Sequence, residues 1–522
     1  MDLLNVSEMV AAHARLRPAD PGAKDSRRAL SFAQWDERAS RLAAALHGLG
    51  LAKGDRVGIL AYNCVEWMEI YVALARAGLV AVPLNFRLVT PEIEYILEHC
   101  EARAVIVQDA LLDRVEPLRG RLTAMAGRFI HFGSPVAPGG WAGYEALMAA
   151  APAQAPQAAV LPSEPWAFMY TSGTTGRPKG AVRSHAGSAL IALATALDMG
   201  FTREDRALLV MPMCHANSLY FSFTFTYLGA AVVIDDRGSF DPEALLATFE
   251  RERISFTSLV PTHYVTVLAL PEDVRAKYDV SSVRRLMISS APARRDTKLA
   301  AMAYFRNAGL YELYGSTEAG WVTLLRPHEQ LDKLGSVGRE WVGTGPVRIL
   351  DGEGNEVPDG EVGELHSRTP FVFDGYWKDP QKTAEAFRGA WCSVGDMAYR
   401  DAQGYIHLVD RKSNMIISGG ENIYPSEVEA VLAAHAAVRE VAVIGVPDPK
   451  WGESVRAVVV CRDGHRVTEA ELIDWCRERL AGYKRPKQVV FVGESDLPRT
   501  ATGKIQHRIL RSRAVAQAAE TD

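Results

Sequence analysis

Cysteine is scarce. Six occur in 522 residues (Cys64, Cys100, Cys214, Cys392, Cys461 and Cys476), with no CxxC pair and no dense spacing. This argues against a disulfide framework and a thiolate metal cluster, and predicts reduced, structural thiols in a cytoplasmic protein. None of the six is read as a nucleophile. Long apolar runs are also missing: no stretch approaches the roughly 18 residues that a membrane helix needs. The N-terminal Met-Asp-Leu-Leu-Asn-Val-Ser-Glu has no basic region leading into an apolar one, so neither export nor a transmembrane segment is expected. Charge of one sign is not concentrated. With 58 Lys and Arg against 63 Asp and Glu, the net charge is -5, which gives no electrostatic reason for a nucleic-acid partner. No internal repeats are found.

What is present is the balance of a soluble globular chain, 48% hydrophobic and 23% charged, long enough for at least two domains. The first hundred residues alternate helix and strand signals. A capping box, Ser31-x-x-Gln34, precedes an apolar stripe at Trp35, Ala39, Leu42, Leu46 and Leu49, which has helical spacing. Residues 56–61 then read as a buried strand, 65–77 as a helix and 79–84 as another strand. Thr90 with Pro91 predicts an N-cap and first-turn proline for the next helix, and 104–107 one more strand. This βαβ rhythm predicts parallel sheets covered by helices. Ala, Pro and Gly dominate 135–165, which reads as a surface connection. The charged segment Asp410-Arg411-Lys412-Ser413-Asn414 lies between strand candidates 406–409 and 415–417. A domain boundary is therefore expected near Asp410, dividing 1–409 from a small α+β domain, 410–522. In the latter, the capping box Thr468-x-x-Glu471 opens a helix with Leu472, Trp475, Cys476 and Leu480 on one face.

The segment richest in chemistry is Tyr170-Thr171-Ser172-Gly173-Thr174-Thr175-Gly176-Arg177-Pro178-Lys179-Gly180, directly after the apolar run 166–169. Glycines let backbone N–H groups approach phosphate oxygens, the hydroxyls of Thr171, Ser172, Thr174 and Thr175 add donors, and Lys179 offsets negative charge. These are the requirements of a triphosphate cradle. The spacing is not GxxxxGK[ST], so the nucleotide chemistry should differ from that of P-loop ATPases. Composition alone is equally compatible with a plain Gly/Thr turn.

The loop closely resembles the signature of the adenylate-forming superfamily, which includes acyl- and aryl-CoA synthetases, adenylation domains of peptide synthetases and beetle luciferases. Further motifs follow in that family's order. They are Tyr314-Gly315-Ser316-Thr317-Glu318, Ser393-Val394-Gly395-Asp396, Asp410-Arg411-Lys412, Gly419-Gly420-Glu421-Asn422-Ile423-Tyr424-Pro425 and Thr500-Ala501-Thr502-Gly503-Lys504. The resemblance implies an α/β fold with a large N-terminal domain and a small mobile C-terminal one. It implies an ATP-dependent, AMP-forming acid:CoA ligase with ATP and CoA as co-substrates and Mg2+ as cofactor. A carboxylate reacts only once it is joined to phosphorus as a mixed anhydride, and building that anhydride brings two anions together. By resemblance, Thr317 and Glu318 sit at the α-phosphate with Glu318 holding Mg2+, which offsets that repulsion. Asp396 accepts from both ribose hydroxyls, Arg411 adds a ribose or phosphate contact, and Lys504 bridges the acid and the α-phosphate during adenylation. The small domain then turns about Asp410 and presents Gly419 and Gly420 beside a pantetheine tunnel, where CoA displaces AMP.

The family commonly has Gly-Gly-Ala-Pro where this chain has Ser289-Ser290-Ala291-Pro292. Ser290, Ala291 and Pro292 are carried as adenine-side contacts, with Tyr314 stacking on the ring. His215 matches a position beside the acyl carboxylate that gates its pocket; a structural histidine at a helix start is the bland alternative. The acyl pocket is expected to draw on His215, Tyr220, Phe221, Val260, Thr262, His263 and 316–321, including Gly320 and Trp321. Trp321 is either the end of that pocket or a core side chain. These residues are mostly apolar or aromatic and no Arg or Lys stands out among them, so a monocarboxylic acid is expected: medium-chain, branched, alicyclic or aromatic. An enzyme loading a carrier-protein thiol would share the first half-reaction, but no carrier domain follows Lys504, after which 18 residues remain. A luciferase-type oxidase would share it too. A non-catalytic nucleotide-binding protein would be expected to lack Glu318 or Lys504, and both are present. Monomer and homodimer remain equally open.

Overall fold

The computed structural model describes residues 3–154, 158–171, 177–290, 293–419, 421–500 and 503–519. Its contacts divide the chain into two compact units, Met1–Pro346 with Ser367–Cys392, and Val347–His366 with Ser393–Asp522. The architecture is the expected α/β one, a large part built from helix-covered sheets and a smaller α+β part.

Among the described residues the first unit holds two large sheets. One has eight strands in the order Gly375–Tyr376, Lys179–Ser184, Pro165–Thr171, Val80–Leu84, Arg56–Leu60, Ala102–Gln108, Phe129–Phe132 and Ala142–Gly143. Arg56–Leu60 pairs in parallel with neighbours on both sides. It is buried at every position but its first, which is why it reads as a continuous apolar run rather than an alternating one. The other sheet has nine strands, six of them (Pro21–Lys24, Arg206–Leu209, Ala231–Ile234, Phe256–Leu259, Arg285–Ser289 and Gly309–Ser316) in a parallel array.

Local signals explain the helices. The Ser31 hydroxyl accepts from Gln34 N at 3.3 Å and Gln34 Oε1 accepts from Ser31 N at 2.9 Å, closing the capping box of Phe32–Gly48. Trp35, 1% exposed, donates from Nε1 to Met68 O at 2.9 Å and pins this helix to Glu66–Ala77. That second helix ends on Gly78 at φ +68°, where a Cβ would lie 3.0 Å from Lys53.

Three expectations need correction. Thr90 is the first residue of helix Thr90–His99 and not its cap; Val89 caps it, with its N–H held by the Glu92 carboxylate at 3.0 Å. The segment 135–165 is not wholly irregular, because Tyr144–Ala150 is helical and buries Tyr144 and Met148. Strand Ile406–Arg411 runs into the charged segment, because Arg411 stays in register with Asp396.

The second unit joins a four-stranded sheet (Arg348–Leu350, Gly363–His366, Asp396–Arg400, Ile406–Arg411) to a sheet built on the hairpin Val438–Asp448 and Gly452–Cys461. The Thr468 capping box forms as read, with Glu471 N donating to Thr468 Oγ1 at 3.3 Å and Thr468 N to Glu471 Oε2 at 2.7 Å. Leu472, Cys476 and Leu480 enter its core, with Trp475 packed against it.

Candidate active site

In the first unit the site is built on an antiparallel pair. Pro165–Thr171 and Lys179–Ser184 pair so that Thr171 faces Lys179, which brings both ends of the glycine-rich loop together. Ser172, Gly173, Thr174, Thr175 and Gly176 lie outside the described residues. The turn between strands Gly309–Ser316 and Gly320–Leu325 carries Thr317 and Glu318, and Ala319 N closes it on Ser316 Oγ at 2.9 Å. Gly315 is required there, since a Cβ would come within 2.3 Å of Gly320 O, and Gly320 itself has φ +74°.

Glu318 is 7% exposed, and its Oε1 accepts from Thr171 Oγ1 at 3.1 Å and from Tyr376 Oη at 2.9 Å. Lys179 Nζ stands 4.0 Å from the centre of the Tyr376 ring. Desolvation pushes the Lys179 pKa down, against the pull of Glu318. Beneath them Arg183, 1% exposed, donates from Nη1 to the carbonyls of Thr317 (3.1 Å) and Glu318 (3.2 Å), and from Nη2 to Phe371 O at 2.6 Å. The turn that carries Glu318 is thus fastened to the strand that carries Lys179. Helix Thr90–His99 fastens the loop from outside. Its His99 Nδ1 is hydrogen-bonded to Tyr170 Oη at 2.7 Å, and its Tyr95 Oη donates to Pro178 O at 3.2 Å. His99 has a lowered pKa, chiefly through burial and then through Lys378, which favours the neutral ring.

Ser290 ends strand Arg285–Ser289 with φ +70°, a conformation that favours glycine. The departure from the family's glycine therefore stores backbone strain. Ser290→Val should cost about 1–2 kcal/mol, whereas Ser290→Gly should not destabilise, as comparison of the two thermal unfolding midpoints would show. Ala291 and Pro292 lie outside the described residues. Tyr314, 9% exposed, sits on the strand that leads into the Glu318 turn.

The acyl-side residues fall into groups. Tyr220 and Phe221, both fully buried, flank Trp321 with ring centres 5.7 Å away in each case, and Trp321 Nε1 donates to Thr195 Oγ1 at 3.0 Å. His215 caps helix Ala216–Leu228 by position only. Its side chain makes no cap hydrogen bond, and Nε2 is buried without a partner. Burial, reinforced by Arg87, pushes its pKa down to about 4, so the ring is neutral near pH 7. His263 stacks on Phe240 with centroids 4.0 Å apart, Val260 is buried and Thr262 is exposed.

In the second unit, Asp396 pairs with Arg411 at 3.0 Å. Asp410 Oδ1 accepts from Arg411 N at 2.6 Å and Asn414 Nδ2 at 3.0 Å, while Oδ2 accepts from Ser426 N at 2.9 Å, near the start of helix Pro425–Ala433. Lys504 lies in a loop held by Lys504 N donating to Thr500 Oγ1 (3.1 Å) and by Arg499 Nη1 donating to Gly503 O (2.9 Å). The lysine keeps contact with solvent. Its pKa is nonetheless lowered, first by partial desolvation and then by Arg411, while Asp396 and Asp410 oppose the shift. Gly419 has φ +61°, and a Cβ there would lie 2.9 Å from the Trp451 ring. Gly420 lies outside the described residues.

Residues 10–377 match the family model described as AMP-binding enzyme, and 427–504 match AMP-binding enzyme C-terminal domain. The chain belongs to the AMP-binding enzyme family. Among curated relatives, a feruloyl-CoA synthase of an Amycolatopsis species is 39% identical, over 96% of this chain and 97% of the relative. An indoleacetate–CoA ligase of Aromatoleum aromaticum is 36% identical over the same shares. Among solved structures, the anthranilate CoA ligase AuaEII in complex with anthranoyl-AMP superposes with a TM-score of 0.88 at 30% identity, covering 99% of this chain and 98% of that one. The chain is therefore an AMP-forming acid–thiol ligase.

Sequence reasoning missed four supporting residues of this ligase. Arg183 had a faint signal, a charge two residues after the apolar Ala181 on the same face of strand Lys179–Ser184. Tyr376 had none, lying 58 residues from the Glu318 it touches. Tyr95 and His99 look like ordinary surface positions of an amphipathic helix until the loop is seen against them. The oxygen donors at Glu318 and Thr171 suit a hard cation such as Mg2+, which takes few protein ligands and completes its shell with phosphate oxygens and water. No cluster of three or more His, Cys, Asp or Glu is found among the described residues.

Proposed function

We propose that this ligase activates an aromatic monocarboxylic acid as its acyl-adenylate and transfers the acyl group to CoA. The observation that carries the reading is the enclosure of Tyr220, Phe221 and Trp321 in one aromatic cluster behind the Glu318 turn. The feruloyl, indoleacetate and anthranilate relatives, all named for aromatic acids, support it.

In this proposal Thr171, Lys179 and the 172–176 loop hold the phosphates, and Glu318 with Thr171 holds Mg2+. The ion supplies positive charge to the phosphate oxygens when bound. The neutral His215 donates to the acid carboxylate and excludes water beside it. Asp396 and Arg411 take the ribose, Tyr314 and the 290–292 segment the adenine, and Lys504 neutralises charge developing between the acid and the α-phosphate. Residues 410–522 turn about Asp410 between the half-reactions, after which Gly419 and Gly420 line the thiol path. The enzyme works in the cytoplasm; no helix among the described residues is long and apolar enough to cross a membrane.

The test is pyrophosphate and AMP release with ATP and Mg2+ across hydroxycinnamates, indole- and phenylacetates, aminobenzoates and straight-chain fatty acids, with and without CoA, and with products identified by mass. At least one aromatic acid should exceed every fatty acid by roughly tenfold or more in kcat/KM. Preference for a fatty acid would overturn the substrate class. Pyrophosphate release without an acyl-CoA product would point to a carrier-protein acceptor.

A further inference from the structure

The Glu318 carboxylate and the Lys179 ammonium are opposite charges in one small site, yet among the described residues they do not form an ion pair. A direct pair would be self-defeating, because it would neutralise the two groups that metal and phosphate require. What separates them is a single side chain. Tyr376 Oη donates to Glu318 Oε1 at 2.9 Å, and the Tyr376 ring takes Lys179 Nζ 4.0 Å from its centre.

Sheet register accounts for the placement. Tyr376 pairs antiparallel with Ala181, so its side chain leaves the same face as Lys179 and Arg183, two residues to either side along the neighbouring strand. Thr171 pairs with Lys179 and joins that face as well. The ring is fixed from behind by edge-to-face packing on Phe373 at 4.9 Å, and Tyr376 N donates to Thr383 Oγ1 at 2.8 Å. Gly375 permits this, because a Cβ at its φ of +138° would meet Thr383 Cγ2 at 2.8 Å.

We propose that Tyr376 is a positioning residue for adenylation, with its hydroxyl orienting the Glu318 carboxylate toward the cation and its ring holding Lys179 apart from that carboxylate so that the ammonium stays available to phosphate. This rests on the reading of Glu318 as the cation ligand and Lys179 as a phosphate ligand. The two halves of the side chain have separable duties. Tyr376→Phe deletes the hydroxyl and keeps the ring, whereas Tyr376→Leu deletes both and lets Lys179 collapse onto Glu318.

The experiment is calorimetric titration of ATP into the full-length wild type, Tyr376→Phe, Tyr376→Leu and Glu318→Gln, each with and without Mg2+, alongside Mg2+ titrations of acid-dependent pyrophosphate release. Tyr376→Phe should bind metal-free ATP as the wild type does and lose roughly tenfold of the Mg2+-dependent gain in affinity, with a matching rise in the Mg2+ needed for half-maximal turnover. Tyr376→Leu should in addition weaken metal-free ATP binding, because Lys179 is then occupied. If Glu318→Gln blunts the Mg2+ response and Tyr376→Phe does not, the positioning role is overturned while the site reading stands. If Glu318→Gln leaves the Mg2+ response intact, the site reading itself falls, and this proposal with it. Equal weakening with and without Mg2+ in Tyr376→Phe would mark a structural side chain and also overturn the role.

Discussion

Lys504→Ala should lower acid-dependent pyrophosphate release by about a thousandfold while leaving CoA attack on supplied acyl-AMP within a few-fold of wild type. The size follows from the chemistry. As the carboxylate closes on the α-phosphate, negative charge accumulates between two groups that already repel, and one preorganised donor at such a point is worth about 10²–10³ in rate. The second half-reaction has no such accumulation at that place, and the proposed turn about Asp410 withdraws the lysine from it. The Lys504 loop is braced by Thr500 and Arg499, and the nearby charges of Asp396, Asp410 and Arg411 offset one another in part, so the ammonium is not consumed by a single partner. Pyrophosphate release and thioester formation would be measured separately in the variant. Equal loss of both would contradict the role given to Lys504.

Arg183→Met should be nearly as damaging, by a different route. The guanidinium is buried and holds the carbonyls of Thr317, Glu318 and Phe371. Losing it strands the carbonyls of Thr317 and Phe371, each costing about 1–3 kcal/mol when left unsatisfied in the interior, while Glu318 O keeps the Phe373 N–H at 2.7 Å. Against this, removing a buried cation recovers some desolvation cost, and water entering the vacated space satisfies part of the set. The unsatisfied carbonyls should still prevail, with a net loss of about 2–4 kcal/mol. The turn bearing Glu318 would also lose its tie to the strand bearing Lys179. The expectation is a lower thermal midpoint together with at least a hundredfold loss of adenylation. Arg183→Lys should recover little, since one ammonium cannot span three carbonyls in a planar fork. A Met variant with unchanged melting and unchanged ATP binding would show that the guanidinium does not hold the turn.

Much of the fold was legible because its signals are local. Hydroxyl caps at Ser31 and Thr468, apolar strand runs and the βαβ rhythm are read within about a dozen residues, and each formed where expected to within a residue or two. At Thr90 the slip was itself local, the Glu92 carboxylate holding the N–H of Val89; the other two slips have causes elsewhere in the chain. Arg411 stays in a strand because Asp396, on the preceding antiparallel strand, pairs with it. Tyr144–Ala150 is helical inside an Ala/Pro-rich stretch because it has a core to bury against.

The sequence by itself determined the family and the reaction class. The ordered motifs through Lys179, Glu318, Asp396 and Lys504 carry the resemblance, and the roles proposed for those residues rest on it, because residue types in a fixed order are visible without the fold. Tertiary structure alone decided what holds those groups at their working distances. Tyr376 between Glu318 and Lys179, Arg183 beneath the Glu318 turn, and His99 and Tyr95 against the ends of the loop are all joined through sheet register and helix packing. Those pairings depend on which strands become neighbours, a choice made by burial of the whole core and left unmarked at any one position of the chain.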